Sequence, residues 1–205
     1  MRDLVVLVSD KNMEFAVRGL LSRHLALGIR EVLSDLFVHP HHDPGCLLEG
    51  HDFLRLYKSS HKHALVMLDR EGSGQEQLSR EALEQRVEGF LAQAGWGDRA
   101  CAIVIDPELE VWVWSDSPSV DTVMGWEGKQ PALRAWLLQE GLLSPDQIKP
   151  NRPKEAVEQA LRLVSRPRSS SRYLELAERV SLERCTDQAF IKFKHTLRAW
   201  FQEGQ

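Results

Sequence analysis

Three short apolar runs, LVVLVS (4–9), ALVML (64–68) and CAIVID (101–106), set the strongest limit on what this chain can fold into. Successive side chains of a strand point to opposite faces, so a run without polar alternation fits a strand covered on both sides. Helical patterns separate the runs. In NMEFAVRGLLSRHLAL, Met13, Ala16, Val17, Leu20, Leu21 and Leu25 recur at three- and four-residue steps, with Asn12 as a candidate N-cap. SREALEQRVEGFLAQAG (79–95) opens on Ser79 in an imperfect capping box, carries Leu83, Val87, Phe90 and Leu91 on one face and stops at Gly95. A further strand is read in EVLSDLFVH (31–39), a loop in PHHDPGCLLEG and a short helix in HDFLRLYKSS. Strands alternating with helices predict an α/β fold, its central sheet mostly parallel and flanked by helices.

The runs end alike. Asp10 follows the first, Asp69 and Glu71 follow ALVML, and Asp106 closes the last. Ligands of open parallel sheets gather beyond the carboxyl ends of the strands, so acids distant in sequence converge on one edge. A single acid there is an ordinary turn former or helix cap. Several together are costly unless a cation neutralises them, and oxygen-only ligands suit magnesium or manganese. Lys11 starts the first helix, where the helix N-terminus already favours a phosphate.

With 205 residues the chain has room for one sizeable core and a small appendage, not for two full domains. Its 42% hydrophobic and 27% charged residues exclude a disordered chain. No apolar run approaches the ~20 residues of a membrane span, and the N-terminal apolar stretch is too short and wrongly flanked for a secretory signal. A cytoplasmic protein without a membrane partner is therefore expected. Cys46, Cys101 and Cys185 lie far apart with no CxxC pair and read as reduced core thiols. The net charge of −4 is uneven: from residue 150 onward 11 Lys and Arg stand against 7 Asp and Glu, a balance of +4, and the remaining 15 against 23 give −8. A basic tail on an acidic body suits nucleic acid or an acidic partner without deciding between them.

Beyond the last apolar run the pattern changes. In PELEVWVWSDSP, Val111 and Val113 alternate with Trp112 and Trp114, which reads as a further strand or an extended edge. PALRAWLLQEGL (131–142) is a helix started by proline and stopped by glycine. SPDQIKPNRPKEAV is a connector and RPRSSSR a mobile loop, while PKEAVEQALRLV, SSRYLELAERV and TDQAFIKFKHTLRAWF are three short helices. The expected division is an α/β domain over 1–145 with a helical extension over 146–205 packed on it. Six tryptophans suit core packing or, in the sharper reading, stacking on single-stranded bases. His39, His41, His42 and Asp43, with His61 and His63 as an H-x-H pair, offer a competing zinc cluster, although a tight loop rarely aims adjacent histidines at one ion. Should that loop face the carboxylate edge, one of its histidines would contact phosphate or shuttle a proton.

The order of strand, acidic turn, helix, strand, helix, strand and acidic pair resembles the Toprim fold shared by topoisomerases, primases and nucleases of the overcoming-lysogenization-defect type. More closely, the chain resembles the small Toprim-like proteins found beside ATPases in bacterial anti-phage defence loci. The resemblance runs over VSDKNMEFAVRGLL, VMLDREGSG, PELEVWVWSD, KPNRPKEAV and CTDQAFIKFKHTL, nearly the whole sequence. It implies a glutamate just after the first strand as general acid or base, and an Asp-x-Asp pair after the third that binds magnesium. Asp69 and Glu71 match that pair and Val8 matches the valine before the glutamate, but Ser9 stands at the glutamate position and Asp10 at the following glycine. Two repairs are open: Asp10 supplies the carboxylate after a small shift of the turn, or Glu14 reaches back from the first helical turn. Arg70 reads as a salt-bridge partner pointing away from the two acids, and Glu110 matches an acidic position of the closer relatives.

The resemblance therefore implies a Mg2+- or Mn2+-dependent nuclease of anti-phage defence. Asp69, Glu71 and Asp10 would be its metal ligands, with Glu14 joining them in catalysis and Lys11 on the substrate phosphate. Nucleic acid and a partner ATPase or other defence subunit are the implied partners, and homodimerisation is left open. The alternative is a non-catalytic Toprim-like subunit that binds such a partner or nucleic acid through the same surface. A nucleotide-binding protein of small-molecule metabolism is disfavoured, because the sequence has no Gly-rich phosphate loop.

Overall fold

The computed structural model describes residues 1–115 and 117–202. Four parallel strands, β1 (Arg2–Val8), β2 (Ser34–Val38), β3 (His61–Asp69) and β4 (Ala100–Ile105), form one sheet in the order β2-β1-β3-β4. Val8 lies level with Val38 on one side and Met67 on the other, and Asp69 lies level with Ile105, so the carboxyl ends share one edge. The α/β class and the parallel sheet flanked by helices are those the apolar runs predict.

Two cores explain why the runs do not alternate. Leu4, Val6, Val8, Leu65, Met67, Ile103 and Ile105 enter one cluster, and Val5, Leu7, Ala64, Val66, Leu68, Ala102 and Val104 enter the other. The second face is covered by α3 (His42–Leu48), α4 (Gly50–Arg55) and α5 (Arg80–Gln93). The first is covered by α1 (Lys11–Ser22), the single turn α2 (His24–Leu27) and a C-terminal series. That series is α6 (Pro118–Met124), α7 (Leu133–Gln139), α8 (Pro153–Leu163), α9 (Ser170–Arg179) and α10 (Gln188–Phe201). No described helix is long and apolar enough to cross a membrane. Cys46, Cys101 and Cys185 are buried free thiols.

Close approach and charge tie the C-terminal helices to the sheet. A Cβ on Gly19 of α1 would stand 2.8 Å from both the Ala177 Cβ and the Leu174 carbonyl oxygen of α9, so glycine lets the two helices touch. On α10, Trp200 stacks on His63 at 4.5 Å, and Lys192 reaches Glu84 at 3.1 Å and Glu88 at 2.8 Å. Those glutamates close the outer edge of β4, accepting the Val104 and Ala102 N–H groups, each at 3.1 Å. Free donors of an edge strand are thus satisfied within the chain.

Several local readings are corrected. The cap of α1 is Asp10, not Asn12: the strand stops at Val8, Asp10 is extended, and its carboxylate accepts the Met13 N–H at 2.8 Å. The stretch read as a loop after β2 contains α3. Pro44 is tolerated in its first turn, and Gly45 is required because a Cβ there would stand 2.0 Å from His39 Nδ1. VWVW is no strand; Leu109–Trp112 is a 3-10 turn, from which Trp112 donates to Asp187 and Trp114 to the Pro153 carbonyl, each at 2.9 Å. The two indoles serve different helices, which imitates alternation. Of RPRSSSR, residues 166–169 lie in no helix or strand, as a loop reading expects, while α9 begins at Ser170. Trp96, Trp114, Trp126 and Trp136 are buried, as core packing requires, and Trp112 and Trp200 are partly buried. Asp116, which ends PELEVWVWSD, lies outside the described residues.

Replacing Gly19 by valine is expected to lower stability by ~1–3 kcal/mol through overpacking against α9. Gly89→Ala, on α5 with nothing within 4 Å of the added carbon, should raise it by about 0.5–1 kcal/mol. Urea midpoints of the two variants check both, and an unmoved Gly19→Val midpoint would contradict the close contact. His63 supplies a pH test. Burial pushes its imidazole pKa down from 6.5, and its Nδ1 has no partner. The folded state prefers the neutral ring, so this contribution is full above about 6.5 and is lost as pH falls through that value and the lower folded one. His63→Phe should flatten the acid limb of a Tm-against-pH curve.

Candidate functional site

The order β2-β1-β3-β4 has its switch point between β1 and β3: α1 leaves β1 toward one face and α5 follows β3 on the other. The carboxyl ends at such a switch point are the usual place for a ligand in open parallel sheets. Counting on from the Val8–Met67 pair sets Asp10 level with Asp69.

Asp69 is the last residue of β3. Part of the residue is accessible, but its Oδ1 is sealed from solvent and has no hydrogen-bond partner. Burial, then the charges of Asp43, Glu110, Asp10 and Glu108, push its carboxyl well above the usual range. Asp43, in the first turn of α3, accepts the Asp69 N–H at 2.8 Å. Burial raises the Asp43 carboxyl too, with Asp10 adding to the rise while the Asp69 N–H and the nearby Ser9 hydroxyl oppose it. Beneath them burial lifts the Cys46 thiol, which the same three aspartates reinforce.

The PELE segment adds the other side of the cluster. Glu108 Oε1 accepts the Lys154 N–H at 3.1 Å in the first turn of α8, with Lys154 Nζ at 3.8 Å from Oε2. Burial, then Glu110, raises the Glu108 carboxyl. Glu110 is only 2% exposed and accepts from Arg168 and from the Tyr173 hydroxyl. Burial and the adjacent Glu110 push the Tyr173 phenol up, so it stays a donor. Arg168 comes from the RPRSSSR patch.

The structure therefore gathers Asp10 and Asp69 with Asp43, Glu108 and Glu110. Glu71 is exposed; its N–H donates to the Pro107 carbonyl at 2.9 Å and its charge acts on Glu108. Glu14 is committed elsewhere, at 2.6 Å from Lys11 Nζ and 2.6 Å from Arg18. Burial alone would raise the Glu14 pKa, but those two cations hold it below the ordinary value. Lys11 is thereby the partner of Glu14. Arg70 turns to Asp106 at 2.8 Å, the salt bridge expected of it. Sequence reasoning missed Asp43 as a member of this cluster, and Arg168 and Tyr173 altogether; the PELE acids and the uneven charge were the only signals.

The histidines do not converge. Among the described residues one group of three possible metal donors has its atoms within 4.8 Å of one another, His39, His41 and Glu49. His41 Nδ1 lies 2.9 Å from Glu49 Oε2 and His39 Nε2 lies 3.8 Å from it. His39 Nδ1, however, accepts the His41 backbone N–H at 3.1 Å, and burial keeps the ring neutral by lowering its pKa. Its proton must then sit on Nε2, toward Glu49, where a metal would need a lone pair. The group is a carboxylate held by imidazole N–H donors and accounts for itself without zinc. His61 and His63 lie at the opposite end of the sheet, His61 bonded to Asp35 at 2.9 Å.

No family model, curated protein or solved structure matches this chain. What the site can do follows from its chemistry: oxygen donors around one unpartnered carboxylate, with cations on their outer side.

Asp69→Asn tests the electrostatics directly. A raised folded pKa favours the protonated acid, so that contribution is present below the ordinary value near 3.8 and is lost as pH rises through the folded one. At neutral pH in chelator the charged side chain therefore costs stability, and the variant should be more stable by ~1–3 kcal/mol, several degrees in Tm. A lower Tm would show that Asp69 is compensated.

Proposed function

We propose that the carboxyl edge of β1 and β3 holds magnesium or manganese, and that this chain hydrolyses phosphodiester bonds of DNA or RNA as a component of bacterial anti-phage defence. The observation that carries this reading is Asp69, whose sealed Oδ1 lacks a partner while four further acids act on it. An all-oxygen donor set fits a hard divalent ion. Magnesium keeps several waters and is commonly bound through one or two carboxylates. Asp69 and Asp10 would hold it, Asp10 through the oxygen left free by the α1 cap. Glu71 and Glu108 would flank it, and Asp43 orients the Asp69 backbone. Bound there, the ion would neutralise the cluster and offset the charge of a scissile phosphate. The parallel sheet and the acids on adjacent strand ends are compatible with a Toprim-like layout, and the defence role rests on the resemblance alone.

A second reading, a non-catalytic subunit that binds a partner ATPase or nucleic acid through this surface, is favoured by one observation. Ser9, at the place where the resemblance implies the general acid or base, is 1% exposed, with its hydroxyl facing the Met13 sulfur at 3.9 Å.

Millimolar magnesium or manganese is expected to raise the wild-type Tm, by ~2.7 kcal/mol of stability at a hundredfold excess over Kd, and to leave Asp69→Asn unmoved. The wild type, and not the variant, should cut supercoiled plasmid, linear DNA or RNA. Metal stabilisation without cutting selects the subunit reading; indifference to both metals ends the metal site.

A further inference from the structure

We propose that His42 is the proton acceptor of this site, standing in for the acid that Ser9 does not supply; the inference rests on reading the edge as hydrolytic. The deciding juxtaposition is between two residues far apart in sequence. His42, which opens α3, is bonded through Nδ1 to the Ser9 carbonyl at 3.0 Å. A carbonyl oxygen only accepts, so Nδ1 carries the proton and the neutral ring keeps its lone pair on Nε2. One hydrogen bond therefore fixes both the ring and its tautomer at the end of β1. His42 is exposed, which leaves Nε2 open to a water and a substrate.

The backbone is shaped for this placement. His42 has φ 51°, in the left-handed region that few non-glycine residues adopt. Asp43 follows it and binds the Asp69 N–H at 2.8 Å. One turn thus delivers an imidazole to β1 and a carboxylate to β3, the two strands at the switch point. Four of the other seven histidines are engaged elsewhere: His39 between the His41 N–H and Glu49, His41 on Glu49, His61 on Asp35, and His63 against Trp200.

In the step assigned to it, a water oxygen forms its bond to phosphorus as one of the water protons passes to His42 Nε2. The bond from phosphorus to the leaving ester oxygen breaks with its electron pair on that oxygen, which then takes a proton from the imidazolium or from solvent. The products are a phosphomonoester and an alcohol, and no oxidant or reductant is needed.

The test joins a magnetic readout to a kinetic one. In 15N-histidine-labelled full-length protein, long-range 1H–15N spectra should show His42 as the Nδ1–H tautomer. Added Mn2+ should broaden the His42 ring signals while sparing His61 and His63, and this broadening should vanish in Asp69→Asn. His42→Asn tolerates the left-handed backbone and can still donate to the Ser9 carbonyl; it should bind Mn2+ as the wild type does and lose at least a hundredfold in cleavage rate. His42→Gly should regain part of its rate with added imidazole. An Nε2–H tautomer, or His42→Asn that cuts like the wild type, overturns the role of His42 and leaves the hydrolytic reading standing. A wild type that cuts nothing and shows no Mn2+ broadening overturns both.

Discussion

Negative charge buried at the end of a central strand is the constraint on which the rest of the architecture depends. Asp69 and Asp43 sit where burial makes ionisation costly, and Glu110 is more enclosed still. Uncompensated, such a group of acids would take up protons or open the fold. The C-terminal helices supply the counter-charge. Arg168 and the Tyr173 hydroxyl meet Glu110, while the Lys154 N–H and ammonium meet Glu108. The same logic holds at the β4 edge, where Lys192 stands beside Glu84 and Glu88. The uneven charge of the sequence, −8 before residue 150 and +4 after it, is in part an internal complementarity. An acidic partner for the basic tail is already present in the body of the chain.

That compensation is incomplete in one place. Glu110 and Glu108 have donors, and Asp43 has the Asp69 N–H, but Asp69 Oδ1 has none. A chain selected for stability alone would place an asparagine or an apolar residue there, since an unpartnered buried charge is among the costlier features a fold can carry. Retaining it is intelligible where the group meets something outside the chain. The left-handed backbone of His42 is a second local cost at the same edge, and strain of this kind concentrates at working sites.

Much of the fold was legible because it rests on local patterns. Uninterrupted apolar runs announced strands covered on both faces, and the acid after each run marked the carboxyl edge before any packing was known. What stayed hidden depended on partners far along the chain. Glu110 finds Arg168 58 residues away and Tyr173 63 residues away, and no periodicity encodes such a meeting. Pro44 and Gly45 read as loop formers, yet the glycine is there because the His39 ring fills the space of its Cβ. Asp43 was lost among histidines, since a run of imidazoles draws attention to metals rather than to the one carboxylate beside them. VWVW imitated a strand because Trp112, on a 3-10 turn, and Trp114, just beyond it, reach different helices.

The serine after β1 then takes on a different meaning. A glutamate at Ser9 would add another carboxylate at a position 1% exposed, beside Asp43 and above Cys46, whose thiol already feels Asp43, Asp69 and Asp10. Asp43, brought in from α3, already places a carboxylate at this edge, where it accepts the Asp69 N–H. The outer acids are met from the C-terminal part of the chain, Glu110 by Arg168 and Glu108 by Lys154. The site and the helical extension are therefore one electrostatic unit.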